Sequence, residues 1–580
     1  MATFVADFET TTDLNDCYVW AYAICEVGNS ENVVIGTSID DFMKWCRDSE
    51  ENHKVFFHNL KFDSQFLMYW LFNNGFTHTT DPYERDTNTF NTLISDKGLY
   101  YQIEVIFYKK GRRVKKVTFQ DSLKLIPLSV KEIAKSFDME ISKLEIDYHS
   151  HNGLPPGTPL TPLEEEYIKH DVQIVARAIE YFYSQGLTKM TIGSCALDEY
   201  KKLISSKVFQ RFYPTPKHHE DVKQSYRGGF TYLNPKFKNK IVKNGIVLDV
   251  NSLYPSVMYY EFLPFGQPIF FKGKYEDDPI YPLYTQMLRC QFQIKPGKIP
   301  TIQIKSGYNF IHNEYLTNSG DTEVVICLNS VDLELFFEQY DVFNIEYLSG
   351  WKFKCAQGLF TDYIDKWSNN KIQAKKDGNK GLYLISKLFL NSLYGKFGTD
   401  TKVKAKIPYL GEDDVIHFKD GEIEEKEGVY IAMASFITSY ARRKTITAAQ
   451  KVMDNYNEGK SDIQFVYADT DSLHCVSPNH ELPEGLEIDD TKLGAWKYES
   501  KFIKAKFLRQ KCYIELGTED VKNPNPDYEM NVTVAGMPVD CHPYVTFNNF
   551  KIGASYQGKK QPKKVQGGVV LAEIDFTIKE

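Results

Sequence analysis

Asp7-Phe8-Glu9 follows the short apolar run Phe4-Val5-Ala6. Side chains alternate along a strand, so Asp7 and Glu9 leave its end on the same side. Two carboxylates held together repel, so either one carries a proton or a metal sits between them. A third acid, Asp63, follows a second strand-like run, Lys54-Val55-Phe56-Phe57, through His58-Asn59-Leu60-Lys61-Phe62. Tyr167 and Asp171 are four apart in a helical pattern, hence neighbours on one face. Four carboxylates and a phenol make a hard-oxygen set suited to Mg²⁺ or Mn²⁺. Two such ions would activate water and stabilise the leaving oxygen of a phosphodiester, with the phenol orienting the water.

A second set lies further along. Asp249 ends the buried-type strand Gly245-Ile246-Val247-Leu248-Asp249-Val250, and Asn251-Ser252-Leu253-Tyr254-Pro255 then makes a tight polar turn. Val466-Tyr467-Ala468-Asp469-Thr470-Asp471-Ser472 reads as a hairpin with Asp469 and Asp471 on one side. If Asp249 joins that side, three carboxylates converge from non-adjacent segments. Between them, Lys387, Asn391 and Tyr394 fall at i, i+4 and i+7 and share a helical face. A cation, an amide and a ring there could contact a triphosphate and stack on a base.

The elements that must position these groups are legible in outline. Thr161-Pro162-Leu163-Glu164 opens a helix, with Thr as N-cap, Pro in the first turn and Glu closing a capping box. Ile168, Val172, Val175 and Ile179 continue it, after the loop Pro155-Pro156-Gly157-Thr158-Pro159. Gly228-Gly229 and Asn234-Pro235 mark a boundary, and the Pro- and Gly-punctuated stretch from 256 to 360 reads as an insertion. Residues 361–398 are helical with a break at Asp377-Gly378-Asn379. Eight acids between 412 and 427 read as an exposed hairpin or loop, and Asp454 to Asp462 as extra loop.

The whole chain has 580 residues, about four units at ~150 residues each. With 25% charged and 42% hydrophobic residues, disorder, collagen and a disulfide scaffold are excluded. The formal charge of −8 argues against a nonspecific nucleic-acid coat but leaves room for basic stripes beside an acidic metal site. No run approaches the ~18 apolar residues of a membrane span, and the amino terminus lacks the pattern of a signal peptide. Ten scattered cysteines without a CxxC pair read as reduced packing residues of a cytoplasmic protein.

The set Asp7/Glu9, Asp63, Tyr167/Asp171 resembles the three exonuclease motifs of the DEDDy 3′→5′ proofreading nucleases. The Asp249–Pro255, Lys387–Gly395 and Tyr467–Ser472 segments resemble motifs A, B and C of family B DNA polymerases. Tyr226-Arg227-Gly228-Gly229, Thr438-Ser439-Tyr440-Ala441-Arg442 and Lys511-Cys512-Tyr513 are similar to that family's YxGG, Tx2(G/A)R and KxY elements. Ala468 stands where close relatives often carry Cys. The compact length and two insertions look like the protein-primed, phi-twenty-nine-like bacteriophage branch.

The resemblance implies an α/β and α+β multidomain fold. An RNase H-like 3′→5′ exonuclease domain (1–190) would precede a right-hand polymerase. That hand would comprise palm (191–260 and 429–530), fingers (361–398) and thumb (531–580). Insertions at 261–360 and 399–428 would dock a terminal protein and give processivity and strand displacement. Asp249 and Asp471, with the Val250 carbonyl, would bind two metals, with Asp469 nearby. Asp7, Glu9, Asp63 and Asp171 would bind two more, each pair being Mg²⁺ with Mn²⁺ as substitute. Lys387 and Asn391 would hold the incoming phosphates. Tyr254 would lie under the sugar, Tyr394 would pack on the nascent pair, and Lys511 would stabilise the primer terminus.

Tyr226 would link the two units, and Thr438 and Arg442 would contact primer. In the nuclease, Thr10, Asn59, Phe62, Ser122, Leu123 and Tyr148 would hold single-stranded 3′ ends while Lys143 assists catalysis. Lys497, Lys501, Lys504, Lys506, Arg509 and Lys511, with Lys559, Lys560, Lys563 and Lys564, would track phosphates. Phe502, Phe507 and Tyr513 would add packing or stacking. Expected partners are template-primer DNA, dNTPs and a terminal protein, with no membrane and otherwise a monomer, in the host cytoplasm. Two alternatives remain: a family B polymerase using nucleic-acid primers, and a non-catalytic DNA-binding replication factor.

Overall fold

The computed structural model describes residues 2–49, 51–214, 219–304, 314–520 and 530–580. Parts of the 261–360 insertion and of the 429–530 segment therefore lie outside the described residues. An eight-stranded sheet organises the amino-terminal unit. Its strand order is Asn29–Gly36, Val19–Glu26, Ala2–Thr10, His53–Phe57, Arg113–Asp121, Tyr100–Lys110, Thr89–Ile94 and Thr77–His78. Ala2–Thr10 and His53–Phe57 run parallel, as do His53–Phe57 and Arg113–Asp121.

Period-two alternation splits the first strand between two cores. Val5 packs with Ala21, Ala23 and the helix Pro162–Ser184, whereas Ala6 and Phe8 pack with Phe42 and Phe57 on the other face. Asp7 and Glu9 therefore share the Val5 face. The helix over that face starts as expected: Thr161 and Glu164 form the capping box and Pro162 sits in the first turn. Its Ile168, Val172, Val175 and Ile179 are buried, which sets Tyr167 and Asp171 against the strand.

A seven-stranded sheet carries the second set of acids. Its order is Met530–Val534, Cys512–Asp520, Trp496–Arg509, Ile241–Val250, Ser472–Val476, Gln464–Asp469 and Thr231–Leu233. A palm–thumb boundary at 530 thus falls inside an edge strand. Within the 256–360 stretch, a four-stranded sheet (Leu263–Lys272, Tyr340–Ala356, Leu283–Ile294, Val324–Asn329) packs with the helix Ser330–Gln339. The stretch Asn251 to Pro255 is turn only at its start: Pro255 lies in the first turn of a helix, Leu253–Tyr260, where the missing N–H costs nothing.

The helical stretch breaks where expected, into Thr361–Lys376 and Lys380–Phe397, and the Asn379 side chain caps the second. Lys402–Leu410 and Ile416–Glu425 form a hairpin. Of the eight acids between 412 and 427, all but Asp414 are exposed. Asp454 to Asn457 is not loop but the last turn of the long helix Ile431–Asn457. Among the described residues, no helix is long and apolar enough to cross a membrane.

Candidate active sites

Carboxylate oxygens of Asp7, Glu9 and Asp171 lie within 4.8 Å of one another. Asp63 flanks them from the first turn of the helix Leu60–Asn73. That helix follows Asn59, whose left-handed backbone (φ 81°) turns the chain, and whose N–H donates to Asp121 Oδ1 at 3.1 Å. Burial first, then Asp171, push Asp7 up to about 7 against the pull of Lys143. Burial and Asp7 hold both Glu9 and Asp63 well above the usual carboxylate range. Asp171 is raised by burial too, although Lys143 is ion-paired to it. Burial lowers the Lys143 ammonium, but Asp171 outweighs that and raises it.

Two buried acceptors in this cluster, Asp63 Oδ1 and Asp171 Oδ1, accept no hydrogen bond. Crowded acids with orphaned oxygens fit a divalent cation, which would satisfy both the charge and the lone pairs. The Tyr167 phenol is raised by burial and by Glu9, so it stays protonated, and its oxygen lies 3.2 Å from Tyr148 Oη. Tyr148 is exposed at the rim, and Lys143 Nζ lies 5.1 Å from the Tyr167 ring centroid.

At the second sheet, Asp249 faces Ser472 across one strand pair, and Ser472 faces Asp469 across the next. Directly opposed residues share a face, so the row brings Asp249 and Asp469 to one side. Asp471 follows the left-handed Thr470 (φ 60°), and its carbonyl accepts from the Val250 N–H at 2.8 Å. Burial raises the Asp471 carboxyl, and Asp469 adds to it. Asp469 is heavily engaged: Lys511 Nζ lies 2.7 and 2.8 Å from its oxygens, and Tyr467 Oη donates at 3.2 Å. Lys511 itself sits at a left-handed turn (φ 51°), and its N–H donates to Tyr467 Oη at 2.8 Å. Among the described residues, only the Asp7 cluster draws three acids within 4.8 Å. The Asp249 row is more open.

Comparison with known proteins bears on both sites. A family model described as DNA polymerase type B, organellar and viral, matches residues 46–161 and 155–483. The chain is 45% identical to the DNA polymerase of Bacillus phage M2 over 99% of each chain. To that of Bacillus phage phi29 it is 44% identical, again over 99% of each. The chain belongs to the type B DNA polymerases of organelles and viruses. It is a DNA-directed DNA polymerase. Its fold is similar to that of Phi29 DNA polymerase solved with primer-template DNA and incoming nucleotide, at TM-score 0.92 and 43% identity over 100% of both chains.

In this polymerase, Lys387 and Asn391 are exposed on the helix Lys380–Phe397, and Tyr394 is half-buried on the same helix. Tyr394 stacks on Tyr254 with ring centroids 4.0 Å apart. Thr10 is half-buried beyond a bulge at Glu9/Thr10, and Phe62 and Leu123 are half-buried. Tyr226 is half-buried at the start of the Tyr226–Gly229 segment.

Several expected ligands are engaged within the protein instead. Ser122 is fully buried, its hydroxyl donating to the Phe57 carbonyl at 3.2 Å and meeting His58 Nδ1 at 2.9 Å. It anchors the corner before Asn59. Thr438 is 2% exposed and donates to the Ala434 carbonyl at 2.9 Å, and Arg442 is 5% exposed and ion-paired to Asp332. Both side chains are thus engaged inside the protein, where their helix is buried.

Much of the basic run is likewise spent internally. Lys497 pairs with Glu499, Lys506 donates to the Phe550 carbonyl, Arg509 to the Lys579 carbonyl, and Lys504 lies over Phe547. Phe502, Phe507 and Tyr513 are core residues, not a stacking surface. Sequence reasoning also passed over Asp121 and Asp332. Asp121 alone had a signal, as an Asp capping the short helix Ser122–Lys124, where its Oδ1 accepts from the Leu123 N–H at 3.0 Å.

Proposed function

We propose that this polymerase copies a linear phage genome from a protein primer in the host cytoplasm, proofreads it at a separate 3′→5′ exonuclease site and displaces the non-template strand. The observation that carries the two-site reading is the pair of acid sets on two different sheets: the buried Asp7/Glu9/Asp171 cluster and the Asp249–Ser472–Asp469 row. Template-primer DNA and dNTPs are its expected ligands, since the Phi29 polymerase was solved with both. The terminal protein would dock on residues 261–360. Residues 1–190 would be the nuclease, 191–260 and 429–530 the palm, 361–398 the fingers, 399–428 the processivity element and 531–580 the thumb.

In the nuclease, Asp7, Glu9, Asp63 and Asp171 would hold Mg²⁺, with Mn²⁺ as substitute. In the palm, Asp249, Asp471 and the Val250 carbonyl would do so. Two ions at each site supply a polarised nucleophile and a neutralised leaving oxygen for phosphoryl transfer. Lys143 pairs with Asp171 and opposes the upward pull of burial on it, and the protonated Tyr167 hydroxyl orients water at the cluster. Tyr148, Thr10, Asn59, Phe62 and Leu123 line the approach of a 3′ end. At the polymerase site Lys387 and Asn391 take the triphosphate, Tyr254 lies under the sugar and Tyr394 packs beneath the new pair. Lys511 is held at the Asp469 edge, where it can turn to the primer terminus.

The deciding experiment is replication with purified chain, dNTPs and Mg²⁺. Extension of an oligonucleotide, 3′ digestion of single strands, and nucleotide addition to a terminal protein without any oligonucleotide are the three expected activities. Extension of oligonucleotides with no addition to the terminal protein would leave an ordinary nucleic-acid-primed enzyme.

A further inference from the structure

Arg442 spends four polar contacts inside the protein. Its Nη1 donates to the carbonyls of Arg227 and Gly228, each at 2.7 Å, while Nε and Nη2 reach the Asp332 carboxylate at 3.3 and 2.5 Å. Asp332 is 8% exposed and lies in the first turn of the helix Ser330–Gln339, on neither strand that carries the palm acids. A charge pair this deep is costly to desolvate and is poorly explained by stability alone.

The same 261–360 stretch grips the Ser225–Gly229 segment at further points. Arg227 Nη1 donates to the Cys327 carbonyl at 3.1 Å. Asn329 Nδ2 donates to the Ser435 carbonyl at 3.1 Å and to Ser435 Oγ at 3.0 Å, and Ser435 Oγ lies 2.8 Å from Ser225 Oγ. The far end of that segment has no slack. A Cβ on Gly229 would stand 2.8 Å from Thr470 Oγ1 and 3.2 Å from Tyr254 Oη. Movement at Gly228 is therefore passed to Tyr254 and to the turn between Asp469 and Asp471.

We propose that Asp332 is a positioning residue for the nucleotide site, setting the place of Tyr254 through Arg442 and the Gly228–Gly229 backbone. Its effect on sugar selection rests on the reading that Tyr254 lies under the incoming sugar; its effect on nucleotide affinity does not. Asp332 touches no reacting atom. It makes nucleotide selection depend on a residue in the stretch assigned to the terminal protein.

The test is steady-state oligonucleotide extension by the full chain carrying Asp332→Asn, which keeps the shape and removes the charge. The expected result is a dNTP KM raised about tenfold and a dNTP/rNTP preference lowered about tenfold, with kcat within about threefold, as for a small misplacement of a binding group. Digestion of single-stranded DNA should stay at the parent rate, which a general loss of folding would not allow. Parent-like KM and preference with intact digestion overturn the proposal. If Asp332→Asn does not fold, Asp332→Leu with Arg442→Met removes the pair without leaving a lone charge. That double variant should show the same KM shift, and a parent-like KM in it overturns the proposal. Tyr254→Val, run in parallel, separates the two readings. If it leaves sugar preference unchanged, the Tyr254 reading fails and Asp332 is judged by dNTP KM alone.

Discussion

The rings of Tyr254 and Tyr394 stack with centroids 4.0 Å apart and planes 21° apart. One follows the strand that carries Asp249, and the other sits on the helix that carries Lys387 and Asn391. The stack is therefore the joint between the turn that follows Asp249 and the helix that carries Lys387 and Asn391. Tyr254 is further confined by Gly229 and by Pro255 in the first turn of its helix. Tyr254→Val should remove the ring beneath the sugar and relax discrimination against ribonucleotides by about 10- to 100-fold. Steady-state incorporation of dNTP against rNTP measures it, and an unchanged ratio would remove Tyr254 from sugar selection.

The two acid sets should be separable, because they lie on different sheets with different supporting helices. Asp7→Ala with Glu9→Ala takes away two of the three clustered ligands and should lower 3′ digestion by about a thousandfold or more. Extension should stay within about twofold of the parent, as expected of distant sites. Loss of both activities in a variant whose melting is unchanged would refute a two-site enzyme.

What could be read in the sequence was local. The helix Pro162–Ser184 announces itself through its capping box and apolar spacing, and the strand alternation at Asp7 and Glu9 fixes the face they share. Once the helix packs on the Val5 face, those two facts bring Tyr167 and Asp171 to Asp7 and Glu9. The Tyr254–Tyr394 stack and the Asp332–Arg442 pair were not legible, because each joins segments whose approach only the tertiary fold decides. Arg442 shows what a motif leaves open. Thr438 and Arg442 share a helical face whether that face is open or buried, and here it is buried against the 261–360 stretch. The six basic residues between 497 and 511 are similar, since a strand offers its lysines to neighbouring loops as readily as to DNA.

The nuclease cluster should also make metal-free stability depend on pH. Asp7 moves from its ordinary 3.8 to about 7, and Glu9 and Asp63 move in the same direction. For an acid raised on folding, the native state binds more protons than the unfolded one between the two values, so stability falls as pH rises. The contribution is present in full below 3.8 and, for Asp7, is lost as pH passes through about 7. Metal-free protein should therefore lose melting temperature between pH 5 and pH 8 more steeply than Asp7→Asn with Glu9→Gln, in which those groups cannot ionise. Mg²⁺ should restore the parent at pH 8, by about 2.7 kcal/mol per site at a hundred times its Kd, and raise the variant less, since only its palm acids remain to bind. Parallel melting curves for parent and variant across that range would refute the assignment.

The hairpin Lys402–Glu425 is tied to the rest of the chain at both ends. Near its root, the Lys404 carbonyl accepts from the Asp96 N–H at 2.9 Å. Near its tip, Asp414 Oδ2 accepts from Tyr69 Oη at 2.7 Å and from Gln566 Nε2 at 2.8 Å. Ile416 is buried in the core that also holds Phe66 and Val569. Asp414 thus joins the nuclease helix Leu60–Asn73, the acidic hairpin and the turn of the carboxy-terminal hairpin Ser555–Thr577. The seven exposed acids would repel a phosphate backbone within the ~8 Å Debye length of physiological salt, so the hairpin should fence a duplex rather than hold its phosphates. Replacing 402–424 by a short Gly-Ser linker should spare single-nucleotide addition, shorten products per binding event and stall the enzyme at a downstream duplex. Asp414→Ala keeps Ile416 in its core and removes only the shared acceptor, so it should shorten products less. Primer extension on gapped and open templates, with a trap for released enzyme, measures both. Product lengths equal to the parent's in both variants would reduce the hairpin to a solvated surface element, since a fence that can be removed without releasing DNA was not holding it.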